Sequence, residues 1–208
     1  MERSTIDRLK QLFGTSFLGP DELRPFMEKL GANVELTVPD LNYSIEELEQ
    51  HAHDYILVMG CSTFGCQEIT IRSLREVFGV DPDQSEPCFY NQDWYLHEDF
   101  IDLPLENRWY LIRKSVVESS RAVLPEQLME RRMVFPSAIL VTYAFFANYF
   151  QTGEFLWYHD FVWCSDVDHN GDRIYVGKYH DIDGVNKNGF SIHRHLALRN
   201  CYAAIDTL

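Results

Sequence analysis

The apolar positions of this chain change period from one end to the other. Ile6, Leu9, Leu12 and Phe13 recur at helical spacing before Gly14, and Ser4 followed by Asp7 resembles a capping box ahead of them. Leu23, Phe26, Met27 and Leu30 repeat that pattern up to Gly31, with Pro25 at the start or in the first turn. Residues 33–38, NVELTV, alternate Val34, Leu36 and Val38 and predict a half-buried strand closed by Pro39. Ser44 and Glu47 form a cleaner capping box for a helix through Ile45, Leu48 and Ala52. That helix runs into YILVMG, which is apolar enough to be a buried strand or the helix's continuation. EITIRSLREVFG carries Ile71, Leu74, Val77 and Phe78 on one face, with Gly79 as its stop. The first 80 residues are therefore expected to be mostly helical.

Residues 81–107 are rich in turn-formers and acids, yet Phe89, Tyr90, Trp94, Tyr95 and Phe100 need something to pack on. The segment is expected to lie ordered over the domain or to line a groove. RWYLIRKSV predicts a strand, and Pro125 fits the first helical position of PEQLMERRM. No charged residue occurs from Phe135 to Gly153. A membrane span needs about 20 apolar residues, and Thr142, Tyr143, Asn148 and Tyr149 interrupt this shorter run, so it predicts a helix buried on every side.

From Phe155 onward the chain reads as β. FLWYHDFVWCSD and RIYVGKYHD flank Asn170-Gly171, a strong hairpin signal, and DIDGVNKNG leads into FSIHRHLALR. The fold class is α+β: a mostly helical N-terminal part, one buried central helix near 137–152, and a C-terminal antiparallel β-sheet of hairpins. A single domain, 1–208, accommodates this, with a helical lobe 1–80 and a remainder 81–208 as its alternative division.

Composition narrows the partners. A chain that is 46% apolar and 14% aromatic is no disordered acidic tail, despite a net charge of -14. That charge repels phosphate backbones and anionic membranes, so nucleic acid and membrane are poor partners and a basic protein surface or a cation is the better one. Cys61, Cys66, Cys88, Cys164 and Cys201 are irregularly spaced and contain no C-x-x-C, which favours reduced thiols. The charged N-terminal stretch has no apolar run of signal-peptide type, and a cytoplasmic location is expected.

Chemistry concentrates near the C-terminus. Asp166, Asp168, Asn170, Gly171 and Asp172 match the first half of a calcium loop, but Gly177 stands where the bidentate glutamate belongs and strands flank it, so a polar hairpin turn is the better reading. In a strand from Phe190, the even positions are Phe190, Ile192, Arg194, Leu196 and Leu198, while Ser191, His193, His195 and Ala197 share the polar odd face. That face is either solvated or the floor of a site, with His159, His180 or Asp181 available as a third ligand. His51 and His53, two apart in a helix, diverge. The pairs Glu98 with Asp99 and Asp102 with Glu106 read as solvated loop carboxylates. No phosphate loop or hydrolase motif occurs.

Two functional expectations follow. In the first, Asp166, Asp168, Asp172, Asp181 and Asp183, with Tyr158 and Tyr179 beside them, form an acidic surface that engages a basic partner, as an inhibitor- or immunity-like module needing no cofactor. In the second, His193, His195, His180 and Asp181 hold a divalent transition metal in a hydrolase.

Overall fold

The computed structural model describes residues 3–32, 36–81, 83, 86–178, 189–194 and 198–208. Its elements run α1 (Arg3–Phe13), β1 (Phe17–Leu18), α2 (Arg24–Lys29), α3 (Ile45–His51), β2 (Tyr55–Met59), β3 (Thr63–Phe64), β4 (Gln67–Glu68) and α4 (Ile71–Phe78). They continue with β5 (Trp109–Arg113), α5 (Pro125–Glu130), α6 (Ala138–Thr152), β6 (Phe161–Val167), β7 (Arg173–Lys178), β8 (Phe190–Arg194) and β9 (Tyr202–Ala203). The class is α+β, with most helices early and the larger sheet late. No helix among the described residues is long and apolar enough to cross a membrane.

The capping signals locate several helix ends. Ser44 caps α3 by accepting the Glu47 N–H, and Gly79 ends α4 with a positive φ. α4 begins at a reciprocal box that the sequence does not advertise, Thr70 with Ser73 instead of a glutamate. Ser4 lies within α1, one residue past Arg3, and so is not the residue ahead of the helix that the spacing predicts. Of the expected strand at 33–38, residues 36–38 carry no strand pairing, and 33–35 lie outside the described residues.

YILVMG becomes a strand, β2, flanked by β1 in parallel and β5 antiparallel. This three-stranded sheet gives the early part of the chain more β structure than helical periodicity alone conveys. The second sheet has the order β8-β7-β6-β9, antiparallel except that β9 runs parallel to β6. The C-terminal segment joins the two sheets: Tyr202 and Ala203 pair with β6, and Thr207 bridges to Ile112 of β5.

α6 sits at the centre, buried from Ala138 through Asn148 as its lack of charge requires. It is capped by Ser137 and ended by Gly153 in the left-handed conformation. One core gathers Phe145, Phe146, Val162, Val176, Phe190 and Ile192 with residues from α1, α2 and α4. The opposite face of the larger sheet has its own core, in which Phe161, Trp163, Tyr175 and Tyr202 meet Leu128 and Phe135. The sheet is therefore covered on both sides. On the odd face of β8, Ser191 is fully buried and His193 is half-buried and stacked on Tyr175 at 5.4 Å, so this part of the face is not a solvated surface.

Both flanks of that sheet are occupied as well. Beyond β8, Phe190 exchanges backbone bonds with Cys88 and Tyr90, while the Gln92 amide and Trp94 indole serve the N–H and C=O of Ile192. Side chains thus complete a ladder that backbone begins, and this flank offers no row of open peptide groups.

Candidate functional site: an acidic groove at the hairpin turn

The β6–β7 hairpin turns through residues 168–172. Gly171 takes φ +85°, while Asn170 keeps negative φ, so this is a longer loop than the two-residue turn typical of Asn-Gly. Asp168 organises it: one carboxylate oxygen accepts the N–H groups of Asn170 at 2.9 Å and Asp172 at 2.8 Å. Its other oxygen faces the Arg194 guanidinium at 3.2 Å. Burial pushes the Asp168 carboxyl up, but the Asp172 N–H, Arg194 and the Asn170 N–H outweigh it and hold the group below its ordinary value. The calcium-loop pattern is thus accounted for by a side chain folded inward onto its own backbone.

Asp166 is turned the other way. It accepts the Ala138 N–H at 2.6 Å, placing a carboxylate at the N-terminus of α6, where the helix favours negative charge. Burial nevertheless raises its pKa, offset only in part by that bond.

Residues 97–103 pack beside the hairpin and enclose a groove of about 410 Å³. Glu98, Asp99, Asp166 and Asp168 line it with His97 and His169, and Leu103 and Val167 stand on its rim. Both rim side chains are exposed, at 50% and 45%. Asp99 is exposed, whereas Glu98 and Asp168 are buried. Glu98 grips His169 twice, accepting its backbone N–H at 2.9 Å and lying 2.6 Å from ring Nδ1. The sequence reading of Glu98 as a solvated loop acid is therefore wrong, because its partner lies 71 residues away. Asp102, in contrast, is half exposed and held by both ends of the Arg72 guanidinium, which lowers its carboxyl below the usual range.

The structure brings only part of the expected surface together. Asp166, Asp168 and the exposed Asp172 share the hairpin end. Tyr158 precedes β6 at that strand's opposite end, roughly 23 Å away along a seven-residue strand, and stacks on Phe155. Asp160, near Tyr158, is taken by Arg121 at 2.5 Å. Tyr179, Asp181 and Asp183 lie outside the described residues, as do His180 and His195 of the expected metal set. His193 sits in the aromatic core, 5.2 Å from the Phe161 ring, and burial, helped by the Arg199 charge, pushes its pKa down to about 4. Among the described residues the convergent set of metal-type donors is Glu98, Asp168 and His169.

Comparison with protein-family models, with curated proteins and with solved structures finds no match to this chain, so the groove itself carries the functional argument.

Proposed function

We propose that the chain is a protein-binding module, inhibitor-like in action, that captures a basic segment of a partner in the groove between residues 97–103 and the β6–β7 hairpin. The supporting observation is one depression lined by four carboxylates and flanked by two exposed aliphatic side chains, Leu103 and Val167. Asp99 and Asp166 reach the groove for direct pairing with arginine or lysine, and the aliphatic rim shields such pairs from water, which strengthens them. With the β8 flank of the sheet closed by residues 88–94, recognition runs through side chains and not through strand addition. Five free cysteines accord with a cytoplasmic setting for this activity.

Titration of a fluorescent peptide alternating arginine and leucine tests this, with its citrulline counterpart as control and EDTA present throughout. The wild-type chain is expected to bind the arginine peptide, more weakly as salt rises. Asp99→Lys and Val167→Asp are each expected to weaken it by roughly tenfold or more. Both positions are exposed, so the fold is retained. Equal affinity for the citrulline peptide, or affinity unchanged in both variants, would refute the assignment.

A further inference from the structure

We propose that Glu98, Asp168 and His169 form a binding site for a divalent first-row transition-metal ion at the floor of the groove. A carboxylate oxygen from each acid and a ring nitrogen of His169 all lie within 4.8 Å of one another. Ligand atoms about 2.1 Å from a shared ion stand roughly 3–4 Å apart, so the donors are already close to ligating geometry. Glu98 Oε1 and His169 Nδ1, 2.6 Å apart, share a proton that an ion would replace. Two segments distant in sequence supply the donors, and the two carboxylates are shielded from water, with side-chain exposures of 5% for Glu98 and 0% for Asp168.

The charge balance favours an added cation. Asp99 and Asp166 lie in the same groove as these two acids, and Asp168 meets Arg194 only through a long contact of 3.2 Å. Asp168 keeps its turn-forming bonds through Oδ1 and turns Oδ2 toward Arg194, an exposed enough side chain to withdraw. His169, 66% exposed, leaves the site open to the groove, so water completes the coordination. One imidazole with two carboxylates suits zinc, manganese or iron, whereas calcium and magnesium take oxygen ligands and thiolate sites take softer ions.

Zinc chloride titrated calorimetrically into the full chain, stripped with chelator and desalted, is the test. About one equivalent is expected to bind, with His169→Ala and Glu98→Gln each weakening it by roughly tenfold or more. His169→Ala retains the backbone N–H that Glu98 accepts, and circular dichroism checks that both variants remain folded. Absence of saturable zinc binding, or binding undiminished in His169→Ala, overturns the site. Equal competition by calcium or magnesium overturns the transition-metal assignment. Because the peptide titration is run in EDTA, failure of the ion site and failure of the partner reading are separate results.

Discussion

Replacing Phe190 with alanine is expected to cost about 3–5 kcal/mol of folding stability, read as a lower urea midpoint at unchanged slope. Phe190 is 1% exposed, and its ring meets Phe145 at 4.7 Å, Phe89 at 5.9 Å and Phe146 at 5.9 Å. It thereby joins α6, β8 and the segment that closes the β8 flank. Truncation removes a large apolar side chain and leaves a cavity that three elements share. The neighbours cannot collapse into it, because Phe190's own backbone is fixed on both sides, to Lys178 of β7 and to Cys88 and Tyr90. Phe190→Leu, which retains most of the volume, is expected to cost less than half as much. A loss below about 1 kcal/mol for the alanine variant would show that this junction is not a single packed unit.

The site has its own cost for disruption. Asp168→Ala is expected to destabilise the chain by about 2–3 kcal/mol, since it removes the buried carboxylate that accepts two turn N–H groups. Thermal unfolding beside Asp99→Lys, expected to be near neutral, checks this. The contrast separates the acid that builds the hairpin from the exposed acid of the groove.

Local rules made much of this fold legible. Ser44, Gly79, Pro125 and the uncharged run in α6 mark element ends and burial because capping, proline geometry and the absence of charge act within a few residues. The site was less legible for the same reason. Asp168 and Asp172 stood out as hairpin-turn acids, but nothing near Glu98 announces His169, and nothing near Asp166 announces the N-terminus of α6. Those pairings are set by how the sheet docks on the central helix and on residues 97–103. Alternation along β8 distinguishes apolar from polar positions, not buried from exposed ones. A second core under Ser191 and His193 requires knowing that α5 and residues 133–135 return to cover that face.

That second core leads to an acid sensitivity with a definite sign. His193, neutral, stacked on Tyr175 and edge-to-face with Phe161, has a folded-state pKa near 4 against 6.5 for the unfolded chain. Between these values the unfolded chain binds a proton that the folded chain refuses, so stability falls as pH drops from about 6.5 to about 4 and then levels off. At about 1.4 kcal/mol for each pH unit of difference, the full loss is roughly 3–4 kcal/mol. Asp166 opposes it, because a carboxyl raised by burial gains stability on acidification. The lowered carboxyls of Asp102, Asp168 and Glu118 act in the same direction as His193, but as pH falls below the ordinary carboxylate range. Subtracting a His193→Phe variant isolates the imidazole, since phenylalanine retains the ring and cannot titrate. Urea unfolding at pH 7 and pH 4.5 is expected to show a drop in wild type about 2–3 kcal/mol larger than in the variant. Equal drops in the two proteins would mean that His193 takes up a proton without leaving its aromatic site, and that the face of the sheet it occupies admits water.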